Sequence, residues 1–327
     1  MELRAGGTRR RRGSSVSTTA ESETSDRART LAAVGRLAPI RDEYPFEPRF
    51  HAVPGGRIHY VDEGPRAAPV ILCVHGNPTW SFAFRRIVKA FSDRYRVVAL
   101  DHLGCGLSEK PTDYEYTLEN HALNLRSLVV ALGLERITLV MHDWGGAIGM
   151  SFARREPRRV AGLFAMNTAA FRSRRMPLRI RVCRWPWIGP YLVREWNAFA
   201  GLAPIYGVHD RKSLSFPVKR GLMLPYETSA SRRAIVEFIA DIPLSSKHRS
   251  WAELKATEEA LEQFRTLPVA LCWGERDWCF TPAFRTEWER RFPHAVVTRC
   301  KQAGHFVFEE APDAVESALR DLMARVP

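Results

Sequence analysis

Short continuous apolar runs separated by helical segments constrain this chain more than any other feature. They read RIHYVDEG (57–64), VILCVHG (70–76), YRVVALD (95–101), ITLVMHD (137–143), VAGLFAMN (160–167), PVALCWGERD (268–277) and AVVTRCK (295–301). Strands that stay apolar without alternating are covered on both faces, and intervening helices supply the cover. Helices are expected around 82–92, 117–133, 282–292 and 312–325, with another opening directly after 143. The pattern predicts an α/β chain built on a mostly parallel central sheet with helices on both faces.

The alternation stops between about 168 and 248. That stretch is rich in arginine, aromatics and proline, as in RWPWIGPYLVREWNAF (184–199). It is expected to be an inserted helical cap, leaving 41–167 and 249–327 as the core. Residues 1–40 are polar and rich in Ser, Thr and Arg, so a disordered tail is expected there. Their arginine run is followed by no apolar stretch, which argues against a secretory signal.

In open α/β sheets the chemistry sits at the carboxyl ends of the strands. The segment His142-Asp143-Trp144-Gly145-Gly146 lies where the strand 137–143 turns sharply into a helix. Such a turn lifts one side chain above the sheet, and the glycines permit close packing behind it. Serine usually holds this position in the hydrolase motif G-x-S-x-G; here it is Asp143, a carboxylate able to attack carbon directly. The hydrolase order of nucleophile, acid and histidine then selects Asp277, after the strand 268–277, and His305, in AGHFVFEE, after the final strand. A second group follows the strand 70–76. Backbone N–H groups from this loop and from Trp144 form an oxyanion hole in such folds. The side chains of Asn77 and Trp144 add an amide and an indole N–H. Together they make a site for a small anion beside Asp143. DHLGCGLS (101–108) lacks a complete phosphate-loop pattern and reads as a structural turn around Asp101. His75 and His142 are expected to shape loops, and Glu309 and Glu310 to charge the start of the last helix.

With these residues assembled, the chain from about Tyr44 onward resembles the haloalkane dehalogenase branch of the α/β-hydrolases. The stretches that carry the likeness are YPFEPRF, YVDEGP, HGNPTWSF, DHLGCGLSEKP, VMHDWGGAIG and AGHFVFEE. MNTAAF, WNAFA and DIPL make it similar, within that branch, to the β-lactone decarboxylases of bacterial long-chain olefin biosynthesis. The resemblance implies an α/β-hydrolase fold with Asp143 as nucleophile, His305 as base, Asp277 as acid, and Asn77 with Trp144 stabilising the anion. Asn167 stands where one dehalogenase subgroup carries its acid; a neutral amide cannot serve, which leaves the role to Asp277. The resemblance further implies conversion of a cis-dialkyl β-lactone to a cis-alkene and carbon dioxide, with haloalkane hydrolysis as the alternative. Epoxide hydrolases share the Asp-His-Asp set but typically carry an aromatic residue at position 77 and use cap tyrosines, for which Tyr191, Tyr206 and Tyr226 are the candidates. Fluoroacetate dehalogenases need an arginine clamp, for which Arg154 and Arg155 are poorly spaced. A non-catalytic binding module is the remaining class.

No metal-ligand cluster or dinucleotide fingerprint is present, so no cofactor is expected. The six cysteines show neither disulfide-framework nor zinc spacing, which fits a cytoplasmic protein. The formal net charge of +13 is concentrated in the tail and between Arg172 and Arg220. It comes without a nucleic-acid motif, so nucleic acid is not an expected partner. The partners expected instead are an apolar, long-chain small molecule and, through the basic cap, an anionic membrane surface or a partner enzyme. The cap aromatics Trp185, Trp187, Trp196, Phe199 and Phe216 are candidates to line the substrate pocket.

Overall fold

The computed structural model describes residues 28–327. Its centre is an eight-stranded sheet of β1 (Arg49–Val53), β2 (Gly56–Glu63), β3 (Val70–Val74), β4 (Arg96–Leu100), β5 (Ile137–Asp143), β6 (Val160–Thr168), β7 (Val269–Gly274) and β8 (Val296–Cys300). The spatial order is β1-β2-β4-β3-β5-β6-β7-β8. β2 pairs antiparallel with β1 and β4, and every pairing from β4 to β8 is parallel. Every residue of β3, β4, β5 and β7 is buried, which explains why these strands read as unbroken apolar runs.

The flanking helices are α1 (28–37), α2 (Arg85–Phe91), α3 (Leu118–Ala131) and α4 (Trp144–Arg155) before β6. After the insert come α10 (Trp251–Ala260), α11 (Pro282–Arg291), α12 (Val307–Glu310) and α13 (Pro312–Met323). Two core clusters lie on opposite faces of the sheet, one around Leu72, Leu139 and Phe152, the other around Ile71, Phe164 and Leu319.

Two expectations are corrected at the N-terminus. Residues 28–37 are helical rather than disordered, and Ala33, Leu37 and Ile40 pack into the core. Their few apolar side chains are spaced to reach the sheet, a signal the surrounding Ser and Arg obscured. The rest of the expected tail, residues 1–27, lies outside the described residues. Strand β1 was also missed: it is a half-exposed edge strand and lacks the apolar run that marked the others.

Between β6 and β7 the chain leaves the sheet and forms α5 (Leu178–Cys183), α6 (Ile188–Arg194), α7 (Ala203–Tyr206), α8 (Phe216–Met223) and α9 (Arg233–Ala240). These helices have a small core of their own, made by Ile180, Val193, Ala200, Tyr226, Ile235 and Ile239. Hydrogen bonds fasten the insert to the sheet's upper edge. Trp80 Nε1 donates to Gly221 O at 3.0 Å, and Tyr226 Oη to Thr79 O at 3.2 Å. Trp278 Nε1 donates to Tyr206 O at 2.6 Å.

Candidate active site

Asp143 is the last residue of β5 and stands at φ 53°, ψ −125°. A non-glycine residue at positive φ is strained, and such strain persists only where surrounding structure enforces it. Here the enforcement is tight packing. A Cβ on Gly145 would collide with Val74 O, and one on Gly146 with Thr168 Oγ1. Thr168 Oγ1 also donates to the carbonyl of Asp143. The Asp143 side chain does not cap α4. Its Oδ1 instead accepts the backbone N–H of Asn77 at 2.6 Å. Burial raises the Asp143 pKa, with the charge of His305 and the N–H groups of Asn77 and Trp144 acting in the opposite direction.

His305 Nε2 lies 3.7 Å from Asp143 Oδ2, and His305 Nδ1 donates to Asp277 Oδ2 at 2.8 Å. All three side chains are buried. Burial by itself would lower the His305 pKa. The charge and hydrogen bond of Asp277, together with Asp143, outweigh it and hold the pKa above the ordinary value. The phenyl ring of Phe280 stacks on the imidazole with centroids 5.8 Å apart, and His142 Nε2 donates to the His305 carbonyl at 2.9 Å. Asp277 lies beyond the strand end expected for it: β7 stops at Gly274, and the carboxylate sits in the following turn. There Cys279 N–H donates to its Oδ1 at 2.6 Å.

Asn77 and Trp144 flank the same carboxylate. One hydrogen of Asn77 Nδ2 goes to Ile235 O in α9 at 3.2 Å, so this side chain also tethers the insert. The Trp144 indole N–H has no hydrogen-bond partner among the described residues, and its ring packs edge-on against Phe238. Asn77, Asp143, Trp144 and His305 close one end of a cavity of about 450 Å³. Volumes of ~300–1,000 Å³ enclose typical small-molecule ligands. The remaining walls are chiefly apolar, with Met176, Ile180, Leu192, Phe199, Ile239 and Leu254 among them. The arrangement offers a buried carboxylate, a histidine held by a second carboxylate, and N–H donors, all at the end of an apolar chamber. Among the described residues no group of three or more His, Cys, Asp or Glu is placed to hold a metal.

The α/β hydrolase fold model matches residues 69–185. Over 285 residues the chain is 38% identical to the cis-3-alkyl-4-alkyloxetan-2-one decarboxylase of Shewanella oneidensis, covering 85% of this chain and 89% of that one. It is 36% identical to haloalkane dehalogenase 2 of Mycobacterium tuberculosis, covering 86% and 97%. The chain belongs to the haloalkane dehalogenase-like α/β-hydrolases. Among solved structures, haloalkane dehalogenase DatA of Agrobacterium tumefaciens superimposes with a TM-score of 0.75 at 28% identity, covering 86% of this chain and 97% of that one.

Several residues of this α/β-hydrolase-superfamily enzyme serve the site from behind. Asp101 accepts from His59 Nδ1 and Leu107 N at 2.8 Å each and from Ser81 N at 2.7 Å, which pins the loop carrying Asn77. His75 accepts from His102 N at 2.9 Å and pairs with Gly76 O, so it shapes that loop too. Glu309 and Glu310 depart from the expected role at a helix start. Glu309 is buried against the Arg85 guanidinium. Glu310 accepts from Gly304 N at 2.6 Å, His209 N at 2.7 Å and Asp210 N at 2.8 Å, joining the histidine loop to the insert. Asn167, read from sequence only as a residue unable to be the acid, is bonded directly to Asp277. Of the tyrosine candidates, only Tyr206 lines the cavity; Tyr191 is exposed and Tyr226 is buried in the insert. Arg154 and Arg155 pair with Glu253, away from the carboxylates. Of the five cap aromatics, Phe199 alone lines the cavity, while Trp185, Trp187, Trp196 and Phe216 face outward.

Proposed function

We propose that this enzyme is a β-lactone decarboxylase that converts a cis-dialkyl β-lactone to a cis-alkene and carbon dioxide, with Asp143 as nucleophile. The observation that carries the reading is a carboxylate beside two anion donors in a chiefly apolar cavity of about 450 Å³. The likeness to the Shewanella oneidensis decarboxylase supports it.

In the derived reaction an Asp143 oxygen attacks the alkyl-bearing ring carbon that is bonded to the ring oxygen. The ring C–O bond breaks, and its electrons leave on the substrate's new carboxylate. Asn77 and Trp144 stabilise that carboxylate by hydrogen bonding and charge–dipole attraction. Its electrons then form carbon dioxide as the C–C bond breaks. That bond's pair becomes the alkene π bond, and Asp143 departs as a free carboxylate. No proton or water is consumed. Attack at the lactone carbonyl carbon would use the same donors for the developing oxyanion. His305, oriented by Asp277, supports the site electrostatically and is the base that would activate water on an ester at Asp143. No cofactor enters the scheme.

Haloalkane hydrolysis is the second reading, favoured by the same N–H donors, which would hold a departing halide. The likeness to haloalkane dehalogenase 2 supports it. We take residues 168–248 as the cap that selects substrate, and the basic face of that cap as the surface meeting lipid or a partner enzyme. Six unpaired thiols support a cytoplasmic location.

One paired assay tests this: purified protein with a cis-dialkyl β-lactone and, separately, with 1,2-dibromoethane. Alkene and carbon dioxide without bromide release are the expected result. Bromide release without alkene would overturn it. Asp143→Asn abolishes either activity if Asp143 is the nucleophile, and a fully active variant refutes that assignment.

A further inference from the structure

The outer face of the cap carries side chains that the active site does not use. From Arg172 to Arg194 the sequence holds seven arginines and no acidic residue. The same stretch folds as a hairpin of α5 and α6, closed by Gly189, whose Cβ would collide with the Cys183 carbonyl. Its inner side chains, Ile180, Cys183 and Leu192, wall the cavity. Its outer side chains include Leu178, Trp185, Trp187, Ile188 and Tyr191, all exposed. Trp185 is 61% exposed and Trp187 90%. Leu178 stands on the exposed side of α5, and Ile188 and Tyr191 sit one turn apart on that of α6.

The tip of the hairpin is strained. Ile188 N–H donates to Pro186 O at 2.7 Å, and Trp187 between them has φ 67° and ψ −52°. This is the rare form of the three-residue γ-turn, an unfavourable place for a bulky side chain. The chain thus presents a tryptophan almost wholly to solvent on backbone suited to glycine. An exposed apolar patch of this kind marks an interaction surface.

We infer that the α5–α6 hairpin docks on an anionic lipid bilayer, with Trp185, Trp187, Ile188 and Tyr191 entering the headgroup region. Tryptophan and tyrosine settle at that depth because one end of each ring system is apolar and the other forms hydrogen bonds. Arg174 and Arg181 are exposed and have no ion-pair partner among the described residues. They are free to meet lipid phosphates, and within residues 172–194 no acidic side chain repels those phosphates. An exposed hairpin with aromatic and cationic groups intermixed matches a lipid surface better than the charge-depleted apolar core typical of protein interfaces. The hairpin is also the roof of the substrate chamber. An apolar substrate, the class the proposed function requires, would therefore pass from the bilayer into the cavity without crossing bulk water.

The test is flotation of the full chain with vesicles, without substrate, so that its outcome is independent of the catalytic reading. Vesicles of phosphatidylcholine mixed with phosphatidylglycerol are expected to carry the protein and shift its tryptophan emission to the blue. Phosphatidylcholine alone should hold it weakly. Trp185→Ser with Trp187→Ser should abolish the emission shift and weaken binding at least tenfold. Arg174→Gln with Arg181→Gln should weaken binding roughly 30-fold, about fivefold per arginine near an anionic surface. None of these side chains lines the cavity, so turnover of detergent-dispersed substrate should be unchanged. Trp187→Gly relieves the turn and should weaken binding with an unchanged or higher Tm, an outcome a folding role for Trp187 would not give. No flotation of the native chain, or equal flotation of all variants, overturns the inference. So does self-association lost in the tryptophan variant without any vesicle binding, which would assign the face to a second copy.

Discussion

Asn167 Nδ2 lies 2.9 Å from Asp277 Oδ2, the same oxygen that accepts His305 Nδ1. Asn167 reaches back as well, with Nδ2 donating to Gly274 O at 3.1 Å and Oδ1 accepting from Gly274 N at 2.8 Å. It locks the end of β7 and fixes the carboxylate lone pair left to His305. Asn167→Ala strips several buried partners at once, so it should cost about 1–3 kcal/mol of stability. Chemical denaturation measures that loss. If Asn167 positions Asp277, the His305 pKa followed by NMR should also move; a variant that loses stability with an unmoved His305 would make the role purely structural.

Two acid limbs separate the two candidate reactions. Water activation needs neutral His305, whose pKa is held above the ordinary ~6.5 by Asp277 and Asp143 despite burial. On the ester Asp143 carries no charge, so haloalkane hydrolysis should fall as pH drops through a His305 midpoint lower than that of the free enzyme, with Asp277 alone still raising it. Lactone decarboxylation needs only ionised Asp143, whose pKa burial raises. Its acid limb should lie above the usual carboxylate range and follow Asp143 rather than His305. Rate profiles from pH 4 to 9 on both substrates decide the matter; coincident limbs would mean that both reactions share one proton step. The same coupling predicts that Asp143→Asn lowers the His305 pKa, since one of the two charges raising it is gone.

Trp144→Phe keeps an aromatic ring against Phe238 and removes only the indole N–H. Losing one donor to a developing anion typically costs ~100–1,000-fold in kcat. We expect that loss with little change in Tm. A variant within threefold of the native rate would place the anion elsewhere.

In water enriched in oxygen-18, decarboxylation should leave Asp143 unlabelled, because no step adds water to it. Haloalkane turnover would transfer label to the Asp143 carboxylate, since water attacks the ester there. Peptide mass spectrometry after many turnovers reads the difference. Label appearing during lactone turnover would show an ester that hydrolyses, contrary to the derived route.

Gly76→Ala tests the site from behind. A Cβ there would fall within contact distance of Asp143 Oδ1, Asp143 Cβ and Trp144 N. The Asp143 carboxylate would have to move, so if it is the nucleophile activity should drop at least 100-fold, since small misplacements of a reacting group carry large rate losses. Retained activity would mean that the β3 loop tolerates displacement.

The fold was legible because its strands are buried on both faces, and such strands cannot hide their composition. Asp143, Asp277 and His305 were found together because each follows a strand of one alternating pattern. What escaped was whatever depends on contacts distant in sequence. β1 has no apolar run, and residues 28–40 look polar except for the few side chains that reach the core. Glu310 clamps Gly304 to His209 and Asp210 across a separation of about a hundred residues. Outward-facing Trp185, Trp187, Trp196 and Phe216 were indistinguishable from cavity-lining aromatics until the hairpin's two faces were seen.

Glu310 fastens the loop that carries His305 to the insert that covers the cavity. Any movement that lifts residues 209–210 away from the sheet either breaks those hydrogen bonds or drags on the loop that carries His305. Displacement of the insert at this point and misalignment of the imidazole are therefore coupled. Weakening this latch would loosen the imidazole, and loop changes made to enlarge the cavity would meet that cost first.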